Sequence, residues 1–241
     1  DEAVDVGLGG FTLYVDWPEL EPTAGNFQLE SVLADLDAIN ERGLKTFLNI
    51  TVGDIGELNL PSDLSPDFAL DAPVVLSRFG ALLDALVPEL AERGVFLLGL
   101  GNEIDERLDS ASESERAAYA TFVEQADARV AGLEPDLPVA ITLTANAVRD
   151  QGPTFEAMQA AADLIALNFA PINPDFFVLE ESEIRVSLLE VLAGIPEGPV
   201  VIQELSCPSA EPMGASANWQ RNCFDILLRT LRSMPRFRFA S

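Results

Sequence analysis

Two glutamates in this chain each close a short apolar run. Gly99-Leu100-Gly101-Asn102-Glu103 follows Val95-Phe96-Leu97-Leu98, and Gln203-Glu204 follows Val200-Val201-Ile202. A carboxylate leaving a buried strand is costly unless it faces a cleft or a partner. Two of them, in a chain that alternates strands and helices, supply what acid–base and nucleophilic work on a glycosidic bond requires. Asp16, Asn49, Asn102, Asn146 and Asn168 stand near the ends of apolar runs as well, so polar groups gather where strands finish.

Residue types also exclude chemistry. The chain has no histidine, which removes Ser-His-Asp and Cys-His nucleophiles and the commonest transition-metal ligand. Cys207 and Cys223 are the only cysteines, and no zinc spacing exists. Either they pair, which points to an exported protein, or they stay as buried thiols. No cofactor or metal is indicated. The acidic run from Asp105-Glu106 to Glu115 reads as a solvated loop and helix start, where negative charge suits the helix dipole, with calcium binding the minor alternative. The formal charge is -26, and Lys45 is the only lysine. Such a surface repels phosphates, so no nucleic-acid partner is expected. It fits a protein kept soluble at high ionic strength, or ordinary acidic solubility. No apolar stretch reaches the roughly 18 residues that span a membrane.

The elements that position these residues follow from apolar periodicity. Strands are expected over Phe11–Val15, Thr46–Val52, Val95–Leu100, Val139–Leu143, Leu164–Asn168, Val200–Glu204 and Phe237–Ala240. Helices are expected over Leu29–Arg42, Val74–Arg93, Glu113–Ala131, Phe155–Ala162, Ile184–Leu192 and Asn218–Ser233, with turn-rich loops through Pro18, Pro22 and Gly25 and from Pro61 to Pro73. Alternating strands and amphipathic helices predict a parallel sheet with helical crossovers. Seven strands in one domain over residues 1–241 favour a (β/α)8 TIM barrel over an open doubly wound sheet. No Gly-rich phosphate loop follows a strand, which weighs against dinucleotide binding. The barrel is expected to be incomplete, its first strand and helix missing and its last strand truncated. A seven-stranded barrel is the alternative. Chemistry in such barrels collects at the C-terminal strand ends, where Glu103 and Glu204 fall.

With those residues placed, the chain resembles a clan A glycoside hydrolase along nearly its whole length. Trp17-Pro18-Glu19-Leu20-Glu21-Pro22-Thr23-Ala24-Gly25-Asn26-Phe27 is similar to the W-x-x-L-E-P-x-x-G-x-(aromatic) stretch after the second strand of many clan members. Gly101-Asn102-Glu103 resembles the Asn-Glu pair ending the fourth strand, and Gln203-Glu204 with Pro208 resembles the seventh-strand end. Within the clan, the Gly-Asn-Glu-Ile and Glu-x-x-x-Pro patterns are weakly similar to endo-β-1,4-galactanases. The chain departs from the clan pattern at Tyr14-Val15-Asp16 and Asn168-Phe169, where members often carry an arginine and a histidine or tyrosine.

The resemblance implies a retaining glycosidase, with Glu103 as acid/base and Glu204 as nucleophile. Asn102 would bind the sugar 2-hydroxyl. Trp17, Asn168, Phe169 and Asn49 are the further expected substrate contacts, and Asp16 reads either as a contact or, preferably, as a cap for the turn at Pro18. The implied partner is a carbohydrate, and the implied location is secreted or cell-surface. The alternatives are a catalytically inactive carbohydrate-binding barrel of a larger exported protein, and a structural domain with no polar cleft. The oligomeric state is not indicated.

Overall fold

The computed structural model describes residues 9–64 and 68–240. In chain order it contains β1 (Gly10–Asp16), α1 (Trp17–Leu20), α2 (Glu30–Asn40), β2 (Lys45–Asp54), β3 (Glu57–Leu58), α3 (Pro73–Leu86), β4 (Val95–Asn102) and α4 (Asp105–Leu108). There follow α5 (Glu113–Leu133), β5 (Val139–Thr144), α6 (Ala145–Asp150), α7 (Pro153–Ala161), β6 (Leu164–Phe169), α8 (Glu181–Gly194), β7 (Val200–Leu205), α9 (Ala217–Arg232) and β8 (Phe237–Ala240). The strand order is β1-β2-β4-β5-β6-β7-β8, with the short β3 off this path, antiparallel to the end of β2. This is the (β/α)8 barrel class of fold, with seven parallel strands among the described residues.

The chain divides into two compact units. One runs up to Thr142 and adds Gly152–Ile165; the other takes Leu143–Gln151 and the chain from Ala166 onward. In the first unit β1 pairs with β2, β2 with β4 and β4 with β5, all parallel. Strands covered on both faces read as near-continuous apolar runs, and Phe47, Leu48, Ile50, Leu98 and Leu100 are accordingly fully buried. In α3, Val75, Phe79, Leu82, Leu83 and Leu86 recur at helical spacing and form its buried face. In the second unit β6 pairs with β7 and β7 with β8, again parallel, and Ile184, Leu188, Val191 and Leu192 are the buried stripe of α8.

Several expectations need correction. The helix predicted over Val74–Arg93 ends at Leu86 and continues as two 3-10 turns, because Pro88 has no N–H to donate and its ring crowds the preceding turn. Gly94, at φ 74°, then stops it as expected. The loop after β1 opens with the short helix α1, with Pro18 in its first turn. Asn146 is not a strand end. It lies exposed on α6, where its Oδ1 accepts from Arg149 Nη1 at 3.1 Å. The acidic run is solvated except for Asp105, which is buried, and Ser112 with Glu115 forms a capping box at the start of α5. Cys207 and Cys223 form a disulfide, Cα–Cα 6.1 Å, that ties the segment after β7 to α9. No helix among the described residues is long and apolar enough to cross a membrane.

One carboxyl pair in the first unit makes stability depend on pH. Asp163 accepts from the Val139 backbone N–H at 3.0 Å. Burial, then the charge of Asp163 and a hydrogen bond with it, push the neighbouring Asp127 up to about 6 from an ordinary 3.8. A folded-state value above the unfolded one contributes stability that is fully present below the unfolded pKa and lost as pH rises through about 6. Asp127→Asn is therefore expected to flatten the fall in unfolding midpoint across that window. After solvent screening, the variant should be more stable near pH 7 by on the order of 1 kcal/mol. Parallel denaturant titrations at both ends of the window check this. A variant whose pH profile matches the parent excludes the pair as its cause.

Candidate active site

In the first unit the site is built on a crowded strand end. At Gly99 a Cβ would stand 2.7 Å from Asn49 Nδ2 and 2.8 Å from Phe47 Cε2. At Gly101, whose φ is 101°, it would stand 2.5 Å from the Tyr119 hydroxyl. Only glycine leaves room for those side chains, which explains the Gly-Leu-Gly spacing. The side chains in turn hold the strand: Asn49 Nδ2 donates to the Gly101 carbonyl at 3.0 Å, and Tyr119 Oη donates to the Leu100 carbonyl at 3.2 Å. Burial pushes the Tyr119 hydroxyl pKa far up, so it remains a donor.

Beyond Gly101 the backbone leaves regular β geometry. The register between β2 and β4 shifts between Ile50 and Asp54, and Asp54 stands opposite Asn102. Asn102 is buried, and its Nδ2 donates to Asp54 Oδ1 at 3.0 Å. The Ile55 N–H donates to the Asn102 carbonyl at 3.3 Å. Glu103 follows, half-buried, with a left-handed backbone at φ 46°. That conformation costs a non-glycine residue on the order of 1 kcal/mol and persists only where surrounding contacts impose it. Such strain concentrates at functional sites.

The same end of this unit carries Asp16. No side-chain bond from it caps α1, contrary to the preferred reading; its Oδ1 accepts from Asn59 Nδ2 at 3.2 Å instead. Asp54 was not singled out from sequence. The apolar run there stops at Val52, and only pairing with β3 and β4 extends the strand to the aspartate. An aspartate two residues past an apolar strand was the available signal.

Two expected sugar contacts of this unit are placed elsewhere. Trp17 is fully buried, packs edge-on against Phe79 with centroids 4.9 Å apart, and donates from Nε1 to Glu21 at 3.0 Å. It has no exposed ring face for a sugar. Its motif partner Glu21 also accepts from the Gly25 N–H at 2.8 Å and from Arg78 Nε at 3.2 Å. The tryptophan stretch thus closes on itself as a loop staple. Asn49 is fully buried in mid-strand, and its amide holds the Gly101 carbonyl rather than reaching a strand end.

In the second unit, Asn168 stands opposite Glu204 across the parallel β6–β7 pair, just past a shift in register. Glu204 is half-buried and Asn168 buried. The Ser206 N–H donates to the Phe169 carbonyl at 3.0 Å and ties the two strand ends together. Phe169 is buried, so its ring belongs to the core and not to a substrate surface. Of the expected residues, the fold brings Asn102 and Glu103 to one strand end beside Asp54. It brings Asn168 and Glu204 to a second pair of strand ends.

No protein-family model and no curated protein sequence matches the chain. Solved structures do. The exo-β-1,4-mannosidase Op5Man5 from Opitutaceae bacterium strain TAV5 matches with a TM-score of 0.72 at 19% identity, over 98% of this chain and 46% of that one. GH5_18 from Bifidobacterium longum subsp. longum matches at 0.77 and 15% identity, over 99% and 61%. A structure of fungal β-1,4-galactanases matches at 0.68 and 18%, over 98% and 78%. At these identities the likeness establishes the fold alone, the (β/α)8 barrel class expected from the sequence. The chain spans 46% and 61% of the two bacterial chains.

Proposed function

We propose that the protein is a retaining glycoside hydrolase that cleaves β-glycosidic bonds in an oligosaccharide or polysaccharide. The observation that carries this reading is the strained, half-buried Glu103 at the end of β4, held behind by Asn49, Tyr119 and two glycines. Glu204 at the end of β7, opposite Asn168, supplies the second carboxylate. The matches to β-mannosidase and β-galactanase structures support the substrate class. The buried disulfide supports an exported location.

In this mechanism Glu204 attacks the anomeric carbon, the glycosidic C–O bond breaks, and Glu103 gives its proton to the departing oxygen. Glu103 then takes a proton from water, which displaces Glu204 and restores the anomeric configuration. Asn102, its amide oriented by Asp54, hydrogen-bonds the sugar 2-hydroxyl as charge develops at the neighbouring carbon.

The test is turnover of a panel of aryl β-glycosides and β-glycans by the full-length protein, with the first product followed by proton NMR. Hydrolysis that releases the β-anomer first is expected. First release of the α-anomer sinks the retaining mechanism. Sugar binding without turnover makes the protein a binding barrel. Glu103→Ala should slow substrates with poor leaving groups by about 10²–10⁴-fold, and activated aryl glycosides much less, because the latter need no proton to depart. An equal loss on both classes removes Glu103 as the acid.

A further inference from the structure

The loop between β6 and α8 exposes apolar surface that the proposed reaction does not use. Phe176 is 70% exposed and Phe177 51%, and they are adjacent in sequence. They are the two most exposed phenylalanines among the described residues, and exposed apolar groups that adjoin, unlike ones scattered singly, mark ligand or partner sites. The loop does not expose them through slackness. Asn173 Oδ1 accepts from the backbone N–H groups of Asp175 and Phe177, each at 3.0 Å. The Asn173 N–H donates to the Phe177 carbonyl at 2.8 Å, and the Phe176 N–H donates to the Asn173 carbonyl at 2.9 Å. This knot holds Phe176 at φ 61°, a left-handed conformation that is rare for a bulky side chain.

The base of the loop is fixed as well. The Leu179 N–H donates to the Pro171 carbonyl at 2.9 Å, and Trp219 Nε1 donates to the Leu179 carbonyl at 3.1 Å. The Val178 N–H donates to the Met213 carbonyl at 3.0 Å, in the segment that follows β7. Phe177 lies along Gly214 of that segment, where a Cβ would stand 3.9 Å from its Cδ1. The two phenyl rings are therefore carried by the loop that leaves the strand end bearing Asn168, and that loop is braced by the segment after the strand bearing Glu204, within one compact unit.

From this placement we infer that Phe176 and Phe177 form a stacking platform for a sugar ring of a neutral β-linked glycan, beyond the bond to be cleaved. The inference rests on the functional reading above. A β-linked pyranose presents C–H groups on its faces and hydroxyls at its rim. It can cover a phenyl ring while its polar edge stays in water, which suits rings this open. The chain's charge of -26, with Asp175 beside the rings and Glu180 and Glu181 shortly after, repels anionic membranes and nucleic acids but not an uncharged sugar.

Native electrophoresis of the full-length protein in gels containing soluble β-1,4-galactan or β-1,4-mannan tests the platform without requiring turnover. The parent protein and Glu204→Gln should both be retarded. The double variant Phe176→Ala/Phe177→Ala should bind about ten-fold more weakly at an unchanged melting temperature, having lost a burial site for apolar surface. Phe176→Asn, which removes a ring but tolerates left-handed backbone, should show the same loss in part. Retardation equal in parent and double variant, or absent from both in every glycan, overturns the platform. A double variant that changes sedimentation but not retardation identifies a protein contact instead and overturns it too. Phe-dependent retardation without hydrolysis leaves the platform standing and removes the hydrolase reading. Hydrolysis without that dependence does the reverse.

Discussion

Glu204→Gln is expected to abolish hydrolysis, lowering kcat/KM by about 10⁴–10⁶-fold, the scale on which hydrolases lose activity when the nucleophile is removed. The amide is nearly isosteric, so the half-buried end of β7 and its register with Asn168 should survive, and sugar affinity should change little. The loss would then fall on kcat, as it does when only the reacting atom is taken away. Glu204→Ala adds a sharper discriminant. In the space it leaves, a small anion such as azide can attack the sugar directly, and a single displacement gives the inverted α-product. Azide-dependent recovery with inverted product identifies Glu204 as the nucleophile. A Glu204→Gln variant that keeps more than about a tenth of parental activity shows that it is not.

The largest expected effect on stability belongs to Glu21. It is 1% exposed, and its carboxylate accepts from the Trp17 indole, the Gly25 backbone and the Arg78 guanidinium at once. Arg78 keeps a second ion pair with Asp63 at 2.8 Å, but that aspartate is exposed and its contribution is screened. Glu21→Ala leaves a buried indole N–H and a backbone N–H without the acceptor they share, and leaves the mostly buried Arg78 with only the screened Asp63. Removing one partner of a buried charge pair costs about 3–5 kcal/mol. For a chain of this size that corresponds to a fall in melting temperature of roughly 10 °C. Glu21→Gln keeps one carbonyl oxygen and should lose less. Scanning calorimetry of the two variants decides the matter. A melting temperature within about 2 °C of the parent for Glu21→Ala means the network adds nothing to stability.

This result would also separate two roles that one motif can play. From sequence alone, Trp17 is a candidate sugar platform, because a tryptophan after a strand end is placed to meet substrate. Its i, i+4 partner Glu21 turns the indole N–H inward, and Phe79 of α3 covers the ring. The local signal for this inward turn is the carboxylate four residues on, in the same stretch. The two most exposed aromatics among the described residues are instead Phe176 and Phe177, adjacent in the loop between β6 and α8.

What the sequence determined by itself is the alternation of elements and the two strand ends that carry Glu103 and Glu204. Burial of continuous apolar runs and of helical stripes is a local regularity, so the main strands and most long helices were legible to within a few residues, while the short elements and the end of α3 at Leu86 were not. The barrel class followed from the order of the long elements. The tertiary structure decided where side chains point and what they meet. Asn49 enters the space above Gly99 to hold a carbonyl 52 residues away. Asp54 joins the site because pairing with β4 lengthens β2 past its apolar run. Cys207 and Cys223 pair because α9 returns to the segment after β7. Each of these depends on packing between distant segments, where the cost of an unmet polar group or a misplaced Cβ is set by neighbours that local pattern does not specify.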